Sequence, residues 1–400
     1  MNRRPRIAFI ASRFAPDLGG VARSASRTAQ SLVAAGCDVD VFTLTRGVPP
    51  GQLVSLRSAD EHGSLDGRLT VHRLGAFAHE DLTLQHAEMV LEWLADERAF
   101  DLVWGHYVDA AAFVAVLFAE RRGLPSVVSA RGNDIERLAY PPGDFARLRW
   151  TLERATRVLA VSAALAGKIR AIVDERVRGR VHETPNVVDS DVFLPGGPDP
   201  KRRARLGIPE GAVVLGFSGE LRHKKGLPFL VRALAEVRAT RPAHLLVIGE
   251  VRPREHEALS VALEADRSLR DAIAITGHLE DPHEVAAHLR LCDLVLVPSL
   301  WDGMPNALLE AMACARVVLT SDAGGMPEVV KHGETGFIVR RAELHRLGEA
   351  AIELLDLDAA ARDRIGMAAR AHVAGAHAPD REIASLQGLL ESLGLRAGMA

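Results

Sequence analysis

The sequence predicts an α/β protein made of two domains in tandem, on three observations. Four hundred residues exceed one ordinary core and suggest two. Short apolar runs such as Arg6–Ala11 (RIAFIA) and Leu294–Val297 (LVLV) alternate with helix-patterned stretches, the mark of parallel strands covered on both faces. The alternation halts and restarts around Leu194–Ile208, where Pro195, Gly196, Gly197, Pro198 and Pro200 make the best linker in the chain. The domains are therefore read as 1–194 and 205–377, followed by a helical remainder over about 378–400.

Composition narrows the function classes. A hydrophobic content of 48% with 25% charged residues is typical of a soluble globular protein, and a net charge of -3 carries no nucleic-acid signature. Cys37, Cys292 and Cys314 are scattered in apolar sequence and read as reduced core residues of a cytosolic protein, neither a disulfide frame nor a metal site. The N-terminal MNRRPRIAFI reads as a first strand and not a signal peptide, because its apolar run ends at Arg13. Ala110–Ala119 is far too short to span a bilayer. Nothing in the sequence fixes an oligomeric state.

In the first half, the strand Arg6–Ala11 leads into the loop Phe14–Gly20 and a helix over Val21–Ala35, closed by Gly36. Strand, glycine loop and helix together form a phosphate-cradling arrangement, with Gly19 and Gly20 at its turn. It is not a GxGxxG, which disfavours a nicotinamide oxidoreductase. Strands follow at Asp38–Thr43 and Val71–Leu74, separated by a variable loop over 46–70. A helix over Leu82–Arg98 offers Leu84, Met89, Leu91 and Leu94 as its packed side. The strand Asp101–Gly105 delivers His106 to a carboxyl end, where ligands of open α/β sheets bind. After the strand Ser126–Ala130, Asp134 is placed either to accept a hydrogen bond from a ligand hydroxyl or to cap the next helix, and both readings stay open. Arg157–Ser162 is a further strand. From Arg137 to Arg180, ten basic residues face four acids. That excess suits either a solvated helical face or a surface meeting anionic lipid or a phosphorylated acceptor.

In the second half, strands are expected at Val213–Phe217, His244–Gly249, Ile273–Thr276, Leu294–Val297 and Val317–Ser321. The most informative stretch is Leu294–Ala315. Its strand turns at Pro298-Ser299, passes through Trp301-Asp302-Gly303-Met304-Pro305 and becomes a helix from about Asn306. The amides of Gly303, Met304 and Asn306 are expected to crowd at the positive end of a helix dipole, an anion site suited to phosphate. Asp302 and Glu310 flank it. Carboxylates cannot neutralise phosphate, so sugar or ribose hydroxyls are their natural targets.

This stretch resembles the E-x7-E motif of the retaining glycosyltransferases of family GT4, which have the GT-B fold. Their usual E-G-x-P-N-x-x-x-E-A-M-A-C-G appears as Asp302-Gly303-Met304-Pro305-Asn306 and then Glu310-Ala311-Met312-Ala313-Cys314. The first acid is shorter by a methylene, roughly 1.5 Å of reach, and the final Gly is Ala315. Further matches run from residue 6 to 338. Phe14–Gly20 is similar to the loop that covers the donor diphosphate, and His106-Tyr107 to a segment whose His contacts the donor sugar. Arg131-Gly132-Asn133-Asp134 is similar to a loop on the acceptor side, and Pro185–Asp189 to the segment that closes the first domain. Ser218–Gly226 resembles the G-R-x-x-x-x-K-G loop, whose Arg and Lys hold the diphosphate. Lys225 matches the Lys, whereas Glu220 stands at the Arg and reverses the charge. Glu220 must then point away or pair, and Arg222 is the expected replacement cation, with Lys224 the alternative. Gly277-His278-Leu279 resembles a turn that lies against the nucleotide base. Gly324–Glu328 and His332–Phe337 resemble framing motifs.

The resemblance implies a GT-B protein, two Rossmann-like α/β/α domains facing each other across a cleft, with the last helix packing back on the first domain. It implies a retaining transferase that moves a sugar from a nucleotide diphosphate sugar to an acceptor hydroxyl. In that reading His106, Asp302 and Glu310 are catalytic. Gly19, Gly20, Arg222, Lys225, His278, Leu279, Gly303, Met304, Pro305 and Asn306 bind the donor, and Asp134 lies on the acceptor side. No cofactor or metal is expected, since cations and helix dipoles can carry the leaving diphosphate. The expected location is cytoplasmic, with the inner membrane face as a second location for the 137–180 stretch. The rival readings are an inverting GT-B transferase or epimerase and a non-catalytic nucleotide-sugar-binding protein.

Overall fold

The structure is a computed structural model that describes residues 3–57 and 67–395. The chain divides into two compact units, one of Met1–Pro185 with Asp380–Ala400 and one of Asn186–Pro379.

The first unit holds β1 (Arg6–Ala11), β2 (Asp38–Thr45), β3 (Leu53–Arg57), β4 (Leu69–Gly75), β5 (Leu102–His106), β6 (Ser126–Ala130), β7 (Arg157–Ala160) and β8 (Val181–Glu183). Their order across the sheet is β3-β4-β2-β1-β5-β6-β7-β8, parallel except for the antiparallel β3–β4 pair. Around it lie α1 (Gly20–Ala34), α2 (Glu80–Glu97), α3 (Ala110–Arg122), α4 (Asn133–Leu138), α5 (Pro142–Arg154) and α6 (Ala163–Ile172). Successive residues of β1 feed two cores: Ile7 and Phe9 pack with Leu32 and Val33, Ala8 and Ile10 with Val114 and Phe118. That alternation is why β1 reads as continuously apolar. The small-residue run Ala110–Ala119 proves to be α3, packed so closely on β5 that a Cβ at Gly105 would lie 2.8 Å from the Ala112 Cα. The C-terminal helix Pro379–Ser392 joins this unit by adding Leu386 and Leu390 to its core, while buried Glu382 accepts from the Ser31 hydroxyl at 2.8 Å.

The second unit has β9 (Val213–Ser218), β10 (Ala243–Ile248), β11 (Ile273–Ile275), β12 (Leu294–Val297), β13 (Val318–Ser321) and β14 (Phe337–Val339), all parallel, in the order β11-β10-β9-β12-β13-β14. Its helices are α7 (Pro200–Arg205), α8 (Leu227–Arg238), α9 (His256–Ala265), α10 (Pro282–Leu289), α11 (Asn306–Ala313), α12 (Met326–Val329), α13 (Leu347–Leu355) and α14 (Ala359–Ala376).

Three expectations need correction. The stretch 46–70 is not all loop: it contains β3 and the start of β4, while residues 58–66 lie outside the described ones. Met89 does not pack inward, being 62% exposed, and α2 uses Thr83, Ala87, Val90, Leu91 and Leu94 instead. The division between units falls ahead of Leu194–Ile208, at Asn186. There the Asn186 amide donates to the Met304 carbonyl at 2.7 Å and the Val188 N–H to the His377 carbonyl at 2.8 Å. Arg370 also reaches the carbonyls of Phe193 and Ala313, at 2.9 and 2.6 Å.

Each sheet reverses its winding once beside its first strand. In the first unit β1 lies between β2 and β5; in the second, β9 lies between β10 and β12. Such reversals open a crevice at the carboxyl ends of the strands, where ligands of open α/β sheets bind.

Candidate functional site

The reversal of the second sheet collects the charged loops. After β9 the chain runs through Ser218–Gly226, and after β12 through Pro298–Pro305. The two loops pack backbone to backbone: Gly226, at φ 89°, has no room for a Cβ, which would sit 2.3 Å from the Pro298 carbonyl oxygen. The Leu300 N–H donates to the Lys224 carbonyl at 2.8 Å. A third loop closes from below, since a Cβ on Gly324 would lie 1.9 Å from the Asp302 carbonyl oxygen and the Gly325 N–H donates to the Gly303 carbonyl at 2.6 Å. The glycine turn after β13 is therefore a support for the Asp302–Gly303 turn.

Within this frame the Lys225 ammonium is ion-paired with the Asp302 carboxylate. Burial pushes the Asp302 carboxyl upward, but the charges of Lys225 and Lys224 and the Gly303 N–H, donating at 2.9 Å, outweigh it and hold the group below the usual carboxylate range. The Gly303 amide is thus spent on Asp302 and is not offered to an anion, a correction to the expected trio of amides. Met304 and Pro305 are buried in the turn. The amides of Met304 and Asn306 meet no acceptor among the described residues, and α11 begins with no side-chain cap. Asn306 also leaves its buried side-chain Oδ1 without a partner there. Glu310, buried one turn further along α11, completes the acid spacing.

Glu220, the charge reversal of the loop, pairs twice: with Arg222 at 2.5 Å and with Arg252 at 3.3 Å. Arg222 is therefore not a free cation, although its buried Nε has no hydrogen-bond partner among the described residues. Lys224 is desolvated by burial, an effect that the charges of Lys225 and Arg222 add to and those of Asp302 and Glu220 oppose, and its pKa falls to about 8. Arg252 escaped the sequence reading. It stands after β10 and reaches the cluster only through the strand register, for which a single sequence holds no signal. His278 and Leu279 come from the sheet edge beyond β11; His278 is exposed and Leu279 half-buried. Neither makes a side-chain hydrogen bond to the charged loops among the described residues.

The reversal of the first sheet is different. Gly19, at φ 113°, and Gly20 open α1 with no side-chain cap and with open space where their Cβ atoms would be. His106, by contrast, is sealed at 0% exposure, with Nε2 3.1 Å from the Ser24 hydroxyl and Nδ1 3.1 Å from that of Ser129. Burial, then the charges of Arg131 and Arg27, hold its pKa well below the ordinary value, so it is neutral. Both ring nitrogens are thus engaged by hydroxyls of its own unit, and the ring has no exposed surface. Asp134 is equally sealed. It accepts from the N–H groups of Val108 at 2.9 Å, Arg131 at 3.1 Å, Gly132 at 2.8 Å and Ile135 at 3.1 Å. Asp134 does not cap α4, whose N-cap Gly132 has no side-chain cap; from inside the helix its carboxylate ties the Arg131–Gly132 turn to the chain after β5.

The basic stretch 137–180 is a laced surface. Arg147 pairs with Glu80 and Asp144, Arg149 with Glu153, Arg154 with Glu120, Lys168 with Glu136, Arg170 with Glu183 and Arg176 with Asp174. Among the described residues, no helix is long and apolar enough to cross a membrane, and no group of three or more His, Cys, Asp or Glu side chains could hold a metal ion. The three cysteines are buried thiols; burial pushes those of Cys37 and Cys314 up to about 12.

Two α/β units with parallel sheets, the second bearing a glycine-lined, cation-bearing crevice, have the architecture of the GT-B fold, and solved structures agree on it. Sucrose-phosphate synthase from Thermosynechococcus elongatus superposes with a TM-score of 0.79 at 20% identity over 98% of this chain and 99% of that one. HepE from Anabaena, in complex with UDP-glucose, gives 0.76 at 18% over 97% and 99%. Residues 18–192 match the model of Glycosyltransferase Family 4, and residues 212–357 that of Glycosyl transferases group 1. Among curated relatives, the D-inositol 3-phosphate glycosyltransferase of Stackebrandtia nassauensis is 29% identical over 92% of this chain and 87% of its own length. The alpha-maltose-1-phosphate synthase of Mycolicibacterium smegmatis is 28% identical over 67% and 75%. The chain belongs to glycosyltransferase family 4 and is a glycosyltransferase.

Proposed function

We propose that this glycosyltransferase moves a sugar from a nucleotide diphosphate sugar to an acceptor hydroxyl, with retention at the anomeric carbon and without a metal ion. One observation carries the reading. At the reversal of the second sheet four cations (Arg222, Lys224, Lys225 and Arg252) surround two carboxylates (Glu220 and Asp302), leaving two positive charges. A departing nucleoside diphosphate needs about that much charge.

Lys225 keeps donors to spare beyond its bond to Asp302, and these face the diphosphate together with the amides of Met304 and Asn306. Asp302 keeps acceptor capacity for a sugar hydroxyl, and Glu310 takes the ribose hydroxyls. The open Gly19–Gly20 turn is a further amide site for phosphate. Gly277-His278-Leu279 lies against the base. In the reaction the bond from the anomeric carbon to the diphosphate oxygen breaks, the acceptor oxygen bonds to that carbon on the same face, and its proton passes to the diphosphate. Cations and amides stabilise the charge on the leaving diphosphate that a metal would otherwise neutralise. In support, HepE is solved with UDP-glucose and the curated relatives are named as sugar transferases and synthases.

The test is a thermal-shift screen against UDP, GDP, ADP and dTDP sugars in EDTA, followed by a transfer assay. One donor is expected to stabilise the chain, Lys225→Ala to lower turnover by about a hundredfold or more, and NMR of the product to show the donor's anomeric configuration. Turnover indifferent to Lys225→Ala, an absolute requirement for a divalent cation, or an inverted product would each refute the corresponding part.

A further inference from the structure

The loop after β9 carries an acid where its family pattern has an arginine, and the structure shows what that acid does. Beyond β9 and β10 the two chains stay paired: the Leu221 N–H donates to the Glu250 carbonyl at 2.8 Å and the Arg252 N–H to the Leu221 carbonyl at 3.1 Å. Leu221 lies opposite Val251 in a parallel bridge, and both side chains are buried, at 1% and 5% exposure. Side chains alternate along a strand, so the burial of this pair turns Glu220, Arg222 and Arg252 together to the opposite face. There the Glu220 carboxylate bridges the two guanidiniums.

We infer that Arg252 is the second diphosphate-binding cation of the donor site, and that Glu220 is a positioning residue that holds Arg252 and Arg222 side by side to receive the phosphates. Two guanidiniums repel one another, and a carboxylate that pairs with both, one through each of its oxygens, holds them together at the cost of one unit of charge. The remaining surplus on the trio is one positive charge, and the Lys225–Asp302 pair with Lys224 supplies the rest. Arg222 keeps a buried Nε–H with no partner among the described residues, the condition of a donor waiting for an acceptor. Arg252 is the more open of the two, its side chain 45% exposed against 28% for Arg222, so it can swing onto a ligand without breaking a core.

This inference rests on the donor-site reading above, and its test separates the two. Whichever of UDP, GDP, ADP and dTDP binds wild-type chain most tightly is titrated calorimetrically, beside the matching nucleoside monophosphate. Arg252→Ala is expected to weaken the diphosphate about tenfold, to leave the monophosphate within twofold and to reduce the salt dependence of diphosphate binding. Arg252→Lys recovers part of the loss. Glu220→Gln decides the role of the acid. A positioning carboxylate predicts weaker diphosphate binding on its removal, whereas a merely repulsive one predicts tighter binding. Diphosphate affinity within twofold of wild type in Arg252→Ala, or tighter binding in Glu220→Gln, overturns the inference while leaving the donor site intact. Failure of wild-type chain to bind any of the four diphosphates overturns the donor-site reading itself, and the inference with it.

Discussion

The carboxyl ends of the two sheets make an instructive pair. Both place chemically capable side chains beside the first strand, where the winding reverses. In the first unit those groups face inward: the His106 ring is held between two serine hydroxyls and Asp134 is consumed by backbone amides. In the second unit the groups are paired with one another but stay partly open, as in Lys225–Asp302 and Glu220 between Arg222 and Arg252, with donors and acceptors left over at Arg222 and Asn306. The lesson is that position at a switch crevice is shared by structural and ligand-binding residues. What separates them is whether the polar valences are already spent.

The largest effects should fall on opposite quantities in the two regions. Asp134→Ala orphans four buried amide donors, so it should cost about 3 kcal/mol or more of stability, read as a lower urea midpoint, with little change in turnover per folded molecule. Glu310→Gln should do the reverse, cutting turnover by about tenfold or more while the urea midpoint moves little. If Asp134→Ala lowered turnover without lowering the midpoint, the sealed reading of the first crevice would fail.

A smaller effect sharpens the comparison through pH. Burial is the main reason that Lys224 loses its proton at about 8 instead of its ordinary 10.5. A bound dianion favours the charged lysine, so binding above pH 8 must draw in a proton. Nucleoside diphosphate affinity should therefore be flat below pH 8 and fall as pH rises through it, by at most about tenfold per unit. Stability of the unliganded chain should respond with the opposite sign. The unfolded lysine keeps its proton up to 10.5, so this group's contribution rises between pH 8 and 10.5. Calorimetry at a series of pH values, with Lys224→Met as the variant that flattens both profiles, checks the pair of slopes.

These contrasts explain which features could be read from the sequence. The strands β1, β5, β9 and β12 are fully covered, so their apolar runs announced them, and Asp302 and Glu310 lay at a recognisable spacing beside a glycine turn. The edge strand β3 was hidden because Val54 and Leu56 stay 39% and 38% exposed and no periodic burial marks it. Met89 misled for the same reason in reverse, an apolar residue that ended in solvent. Whether His106 and Asp134 were open or spent depended on Ser24, Ser129 and four amides brought in by tertiary structure. Arg252 depended on the register between two loops. Local sequence carries residue type and spacing, and the satisfaction of each polar atom is a long-range property.

Ala315 provides the smallest and most local test, since it lies outside the charged crevice, just past the end of the helix that serves it. The residue ends α11 at φ +54°, a conformation that costs an L side chain energy and that glycine adopts freely. Its carbonyl is pressed by α14, where a Cβ on Gly366 would lie 2.2 Å away, so the chain cannot relax by turning the peptide outward. Ala315→Gly should therefore relieve the strain, although the glycine also loosens the unfolded chain, and the net gain should be below about 1 kcal/mol. A urea midpoint that rises slightly with turnover unchanged would place the cost of Ala315 in the support of the crevice. A fall in the midpoint would mean that the methyl group makes packing contacts worth more than the left-handed backbone costs.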